Sequence, residues 1–360
     1  MCSAMSLSVD PAADRPRLAV VFGGRSSEHG VSCLTAREVL AAIDTERYDV
    51  RPIGVSRDGA WVEETAVWPE LAPGTLPAVR DDMPPFTWEE LRSFDAVFPL
   101  LHGPWGEDGT VQGLFEMADV RYVGAGVLSS AVSMDKPFTK TVFSAAGLPQ
   151  IPYVTVLPWQ WKEQRDKVEA RIRALGLPVF VKPARAGSSS GVMMVDSWNE
   201  LDEAVDKARG FDPKVIVEAG ARGKRELECG VMQQPDGKPI ASVVGEITVA
   251  AESSHDFYDF EAKYLDGTSL NTVPADISET LSDRIRTYSV QAFEAVGCEG
   301  LARVDFFETV DGLVINEINT MPGFTPFSMF PLLWEASGVS YPELVDRLIQ
   351  LALHRDTGLR

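Results

Sequence analysis

The sequence predicts an α/β protein of two or three domains, on three observations. Its 360 residues exceed what a single hydrophobic core usually organises. Fully apolar strands such as Leu18–Phe22 and Ala96–Leu101 are separated by helical stretches, the pattern of a parallel sheet covered on both faces. Towards the C-terminal end, the runs Leu301–Phe307 and Leu313–Ile318 alternate apolar with charged residues, the period of two strands.

Taken in order, Leu18–Phe22 runs into Gly23-Gly24-Arg25-Ser26-Ser27-Glu28 and then a helix through Val39, Leu40 and Ile43. The strand Ala96–Leu101 ends at His102-Gly103. Parallel sheets bind ligands beyond the carboxyl ends of their strands, where Glu28 and His102 both fall. Residues 70–90, rich in proline and acids, read as a connecting loop. A second unit starts near Gly124-Ala125-Gly126, with a helix opened by Met134-Asp135-Lys136 and closed by Gly147. Strands at Pro178–Lys182, Val192–Val195 and Val215–Glu218 follow, the first two joined by a Gly/Ser loop. Ser197-Trp198-Asn199-Glu200 has capping-box spacing, before a helix with Leu201, Ala204, Val205 and Ala208 on one face that stops at Gly210. Beyond lie several strands, an irregular polar loop around residues 250–270, and a final helix.

The strand pair near the end carries the sharpest chemistry. Val310-Asp311-Gly312 suits a three-residue hairpin loop, with Gly312 supplying a positive φ. A hairpin centred on Asp311 sets Asp305 opposite Glu317 and Arg303 opposite Asn319, all on one face. Opposed carboxylates repel, so a positive group belongs between them. A hard divalent cation with oxygen ligands fits, Mg²⁺ especially if a phosphate supplies further charge. The other reading is a solvent-facing hairpin whose acids sit in water, and these residues alone leave both open.

Composition narrows the class. A formal charge of −20 excludes the basic face of a nucleic-acid binder, so any polyphosphate must be held by a few locally placed cations. The four cysteines, Cys2, Cys33, Cys229 and Cys298, show no paired or metal-ligand spacing and read as free thiols of a reducing cytosol. The polar, proline-broken N-terminus has no signal-peptide core, and no run reaches the ~18 apolar residues of a membrane span. The expectation is a soluble, cytoplasmic protein with a loose N-terminal tail.

Several segments bear on function. In Lys182–Val192, KPARAGSSSGV, three serines between glycines offer amides and hydroxyls to phosphate oxygens. The lysine precedes the glycines and a strand follows, so this is no Walker A loop; it reads as a flap over a nucleotide or as a surface hairpin. Residues Ser253–Tyr264 form a long loop with aromatics and Lys263, either a lid or a segment pinned to the core. Glu317–Gly323 ends in a turn where the Gly323 amide can approach a reacting centre closely, with Ser328 just beyond. Cys33 and Cys298 sit among apolar neighbours and read as core. The dispersed histidines support no Ser-His-Asp triad, and Gly23-Gly24 lacks the spacing of a dinucleotide fingerprint.

Together, GGRSSEHGVS, HGPWGEDGTVQG, MDK, KPARAGSSSGV, the AKY of the long loop, RVDFF and NEINTMPGFTPFSMF follow the order and approximate spacing of the D-alanine–D-alanine ligases of the ATP-grasp superfamily. The resemblance covers residues 17 to about 350. It implies a three-domain ATP-grasp fold with nucleotide between two α+β domains. The corresponding boundaries are a tail at 1–15, a substrate-binding domain at 16–124, and subdomains at 125–218 and 219–360. It implies ATP as substrate, two D-alanines as the molecules joined, Mg²⁺ or Mn²⁺ with two ions per site, and a homodimer. Lys136, Lys182 and Lys263 match the phosphate lysines. Ser188, Ser189 and Ser190 match the flap, with Ser188 bonding towards the lid residue Tyr264. Glu218 matches the adenine-edge strand and Glu226 the acid that holds the ribose. Asp305, Glu317 and Asn319 match the metal ligands, and Arg303 with the Gly323 amide the oxyanion pair. Glu28 matches the acid receiving the first substrate's ammonium, with His102 near its carboxylate. Ser328 and the Met329 amide match the site for the second substrate's carboxylate. Tyr264 goes with dipeptide rather than depsipeptide synthesis. One departure is Ala219, where relatives often carry a lysine, so that adenine recognition rests more on backbone groups.

Overall fold

The computed structural model describes residues 15–68, 75–249 and 269–357. Lys263 and Tyr264 lie outside these residues, as does nearly all of the expected N-terminal tail. The strand Arg17–Gly23 (β1) is buried on both faces because its side chains are apolar at every position from Leu18 to Phe22. After α1 (His29–Ala42), the strands β2 (Asp49–Val55), β3 (Trp61–Glu63) and β4 (Ala96–Pro99), the helix α2 (Thr110–Met117) and β5 (Arg121–Tyr122) complete this unit. The sheet order is β3-β2-β1-β4-β5, parallel except for β3. Such an order puts the β1 and β4 ends side by side, and with them the loops that carry Glu28 and His102.

Two helices follow, α3 (Val127–Met134) and α4 (Lys136–Ala145). Asp135 caps α4 by accepting from the Phe138 amide, as its position suggests. The middle unit comprises β6 (Tyr153–Val156), α5 (Pro158–Glu163), α6 (Arg165–Arg173), β7 (Val179–Pro183), β8 (Met193–Val195), α7 (Leu201–Arg209) and β9 (Val215–Ala219). Its antiparallel sheet runs β6-β9-β7-β8. α7 buries the predicted face, Leu201, Ala204, Val205 and Ala208. The expected capping box does not form: Trp198–Glu200 make a 3-10 turn before the helix, and the Ser197 side chain makes no cap hydrogen bond.

The third unit holds β10 (Arg225–Gln233), β11 (Pro239–Val249), β12 (Ser269–Thr272), α8 (Glu279–Ala295), β13 (Leu301–Thr309), β14 (Gly312–Asn319), α9 (Met329–Ala336) and α10 (Tyr341–Leu353). Its sheet runs β12-β11-β10-β13-β14, antiparallel throughout. Packing crosses the linear order of the chain. Ala125, Phe143 and Leu148 share a core with α8 and the third sheet, while Leu344, Leu348 and Ile349 of α10 cover β1 of the first. Among the described residues no helix is long and apolar enough to cross a membrane.

The hairpin reaches its expected pairing by another route. Thr309 pairs with Gly312, so the turn has two residues, Val310 and Asp311, rather than three; Gly312 takes φ 122°. A bulge between Asp305 and Phe306 then absorbs Asn316, shifting the register by one. The two differences cancel: Asp305 faces Glu317 and Arg303 faces Asn319. The outer edge of β14 is shielded where the Ile315 amide donates to Pro149 O at 2.8 Å.

Candidate active site

All three units contribute to one cleft. The first supplies Glu28 and His102, the middle unit Lys182 and the flap residues Ser188, Ser189 and Ser190, and α4 supplies Lys136. From the third unit come Glu226, Arg303, Asp305, Glu317, Asn319 and Gly323. Glu218 instead lines a smaller pocket, which shares Phe180, Lys182, Lys224 and Phe307 with the cleft. Ser328 and Met329 line neither. Ser328 stands at the N-cap position of α9 with its hydroxyl on Thr325, and the Met329 side chain is buried.

Glu28 is buried where the β1 loop enters α1, and Ser188 of the flap donates a hydrogen bond to its Oε1. The flap comes this close because residue 187 is glycine: a Cβ there would lie 2.6 Å from Glu28 Oε2. Ser188 and Ser189 take φ 47° and 56°, left-handed conformations that cost a non-glycine residue ~1 kcal/mol each. Gly191 is pressed on Phe211, an apolar anchor for the flap that sequence reading missed. Lys136 Nζ holds the flap from below, donating to Ala186 O at 2.9 Å, and lies 3.8 Å from Glu317 Oε2. His102 is buried, with Nε2 3.4 Å from Thr35 Oγ1 and Nδ1 4.0 Å from Glu107 Oε1. The turn after it is secured by Glu107, which accepts from the Gly103 amide at 2.6 Å.

The positive group on Asp305 is Arg303 of the same strand, and the one near Glu317 is Lys136. Arg303 Nε and Nη2 donate to the two oxygens of Asp305, each at 2.8 Å, and Nε lies 2.7 Å from Glu228 Oε2. Asn319 Nδ2 donates to Asp305 Oδ2 at 3.0 Å. Among the described residues no three His, Cys, Asp or Glu side chains converge in metal-binding geometry. The donor chemistry nonetheless suits a hard cation, since Asp305, Glu317 and Asn319 offer only carboxylate and carboxamide oxygens on one face. An ion bound partly through phosphate oxygens needs few protein acids.

In the smaller pocket Glu218 lies between two lysines, Lys140 Nζ at 2.7 Å from Oε1 and Lys182 Nζ at 2.5 Å from Oε2. Burial works to raise the Glu218 pKa, but the two lysines outweigh it and hold the carboxyl below the usual carboxylate range. Burial likewise works against the Lys182 ammonium, yet Glu218 in first place, with Glu317 and Glu226, keeps its pKa above the ordinary lysine value. Glu226, two residues into β10, pairs with Lys224 at 2.5 Å.

Sequence reasoning missed Lys140, Glu228 and Lys224. Two of them carried a signal. Lys140 is four residues beyond Lys136, hence on the same face of α4, and Glu228 is two beyond Glu226, hence on the same face of β10. The cysteines behave as read: Cys33, Cys229 and Cys298 are buried, and burial pushes the Cys33 thiol up to about 12.

The comparisons with known proteins bear on the same cleft. Residues 17–125 match the family model described as D-ala D-ala ligase N-terminus, and residues 142–350 that described as D-ala D-ala ligase C-terminus. A D-alanine–D-alanine ligase from Paenarthrobacter aurescens (strain TC1) is 53% identical over 373 residues, covering 97% of this chain and 98% of the relative. Among solved structures, the VanG D-Ala:D-Ser ligase from Enterococcus faecalis superposes with a TM-score of 0.80 at 35% identity, covering 94% of this chain and 100% of that one. The D-alanine–D-alanine ligase from Coxiella burnetii gives a TM-score of 0.75 at 32% identity over 94% of each chain. With both family models matched in order and whole-length relatives above half identity, the chain belongs to the D-ala D-ala ligase family.

Proposed function

We propose that this chain is an ATP-dependent ligase that joins two D-alanines into D-alanyl-D-alanine for peptidoglycan precursors, releasing ADP and phosphate. One observation carries the reading beyond family membership: a buried carboxylate for an ammonium, Glu28, lies under the same flap that runs from the phosphate lysine Lys182. An amino acid and a nucleotide phosphate would therefore meet in one closed space.

On this reading the carboxylate of the first D-alanine attacks the γ-phosphorus of ATP, giving an acyl phosphate and ADP. The amine of the second D-alanine then attacks the acyl carbon, loses a proton, and phosphate leaves. Both first-step reactants are anionic, so charge neutralisation is the main requirement. Lys136 and Lys182 supply it, joined by Lys263, which lies outside the described residues. Asp305, Glu317 and Asn319 would hold Mg²⁺ or Mn²⁺, which when bound adds neutralisation at the phosphates. Glu28 receives the first ammonium beside His102. Glu226 takes the ribose, and the pocket beside Glu218 and Ala219 takes the adenine. Arg303 and the Gly323 amide face the developing oxyanion, where one donor is worth ~3 kcal/mol. Ser328 and the Met329 amide, at the start of α9, suit the second carboxylate. Ser189 and Ser190 line the flap side, and closure over Ser188 keeps water from the acyl phosphate.

Phosphate release is the direct test, with ATP and D-alanine, L-alanine, D-serine or D-lactate in turn. Turnover with D-alanine alone is expected to dominate. Equal turnover with L-alanine would sink the reading, and a preference for D-serine as second substrate would redirect it. A cytoplasmic homodimer is part of the same proposal, checked by sedimentation of the purified chain.

A further inference from the structure

One lysine of α4 is used by none of these roles. Lys140 is 2% exposed and does not line the cleft, so it cannot itself meet a phosphate there. Among the described residues its ammonium pairs only with Glu218, at 2.7 Å, and lies 5.6 Å from the centre of the Tyr153 ring. A buried ammonium costs several kcal/mol unless compensated, so the position makes sense only with its counter-charge. Glu218 is in turn shared: its other oxygen touches Lys182, which does reach the cleft.

The charge balance decides what this arrangement does. Glu218 and Lys182 alone would form a closed neutral pair, leaving little field for an anion. With Lys140 behind, the same carboxylate serves two cations, and the cluster keeps one positive charge at its cleft-facing end. The lysines also approach from different elements, α4 and β7, so Glu218 is held from two sides on β9. We propose that Lys140 is a positioning residue for nucleotide binding: by neutralising and drawing back Glu218, it leaves Lys182 an effective cation for a nucleotide phosphate. The inference rests on the cleft being a nucleotide site, and its test separates the two.

The probe is ADP, titrated calorimetrically into the whole protein with Mg²⁺ present, alongside steady-state kinetics. Lys140→Met should weaken ADP binding ~30-fold and raise KM for ATP in step, while KM for D-alanine moves by less than about twofold. A merely structural residue would disturb both substrates. Lys140→Arg, which restores the charge, should bring ADP affinity back to within ~3-fold. In a Glu218→Gln background, adding Lys140→Met should change ADP affinity by less than ~3-fold, because no carboxylate remains to be drawn back. Wild-type ADP affinity in Lys140→Met, or an equal loss in both backgrounds, would overturn the proposal. Should Lys140→Met not fold, a tenfold or greater loss in folded Lys140→Arg overturns it. Absence of ADP binding by the wild-type protein would remove the nucleotide-site reading itself, and this proposal with it.

Discussion

The two charged clusters of the site are built with opposite signs. Among the described residues, Arg303 of β13 holds Asp305 of the same strand and Glu228 of β10, and Lys136 lies near Glu317 of β14, so three acids meet two bases. Around Glu218, one carboxylate lies between Lys140 and Lys182, so bases outnumber acids by one. A surplus of negative charge invites a cation, and a surplus of positive charge an anion. Mg-nucleotide carries both. In a chain with a formal charge of −20, binding such a ligand depends on these local imbalances rather than on the global field.

The largest test of the contrast falls on the acidic cluster's guanidinium. Arg303→Lys keeps the charge but loses the fork that holds Asp305 through two donors and Glu228 besides. We expect kcat to fall ~100- to 1,000-fold in a folded protein. A loss under tenfold would show that Arg303 acts as a point charge only. Next in size is Glu317→Gln, which removes the surplus negative charge. The Mg²⁺ concentration giving half-maximal rate should rise ~10- to 100-fold, followed by phosphate release across a metal titration. An unmoved midpoint would exclude Glu317 from the metal site.

The hairpin part of the acidic cluster was legible in the sequence, although Glu228 of β10 was not, and the assembly of the basic cluster was not, for a physical reason. Period-2 alternation puts Arg303, Asp305, Glu317 and Asn319 on one strand-pair face, so local pattern and proposed function coincide. Even there the turn is one residue shorter than the sequence predicts, and the expected pairing forms only because the Asn316 bulge compensates. The basic cluster draws Lys140 from α4, Lys182 from β7 and Glu218 from β9, and no local period links elements of different sheets and helices. Lys182 stood out at the head of the Gly/Ser loop and family resemblance gave Glu218 its role, but neither pointed to Lys140. The flap was legible as glycine and serine, whereas its closure onto Glu28 depends on contacts 160 residues apart in sequence.

The flap runs from Lys182 of the basic cluster and is held at Ala186 by Lys136, and its closure onto Glu28 gives a third prediction. At Gly187 a Cβ would meet Glu28 Oε2 at 2.6 Å, so Gly187→Ala must lift the flap or turn the carboxylate aside. KM for D-alanine should rise ~10-fold, with a smaller change in ADP affinity, since on the proposed reading the displaced group is the ammonium acceptor. Equal effects on both ligands would mean that the flap acts on the phosphate side as much as on Glu28. Initial-rate kinetics with each substrate varied separately decide between them.

The smallest expected effect lies in stability against pH. Because the folded-state pKa of Glu218 is depressed, its contribution is complete above the unfolded value of about 4.3 and is lost as pH falls through the folded value. Lys182 shifts upward, so its share is complete below about 10.4 and is lost only as pH rises beyond its folded value. His29 gives a different acid limb. Burial lowers its pKa, the ring donates from Nδ1 to Gly24 O and accepts the Val79 amide at Nε2, and protonation would break the second bond. Stability from the neutral His29 ring is therefore present above about 6.5 and is lost as pH falls below it. Denaturant unfolding of wild type and Glu218→Gln should thus show the same His29 limb and a constant stability difference from pH 6 to 8. Below about pH 4 that difference should shrink, by at most ~1.4 kcal/mol per pH unit. A difference that stays flat to the lowest pH tolerated would show that Glu218 is not held as a charged partner, and the count of two lysines sharing one carboxylate would fail.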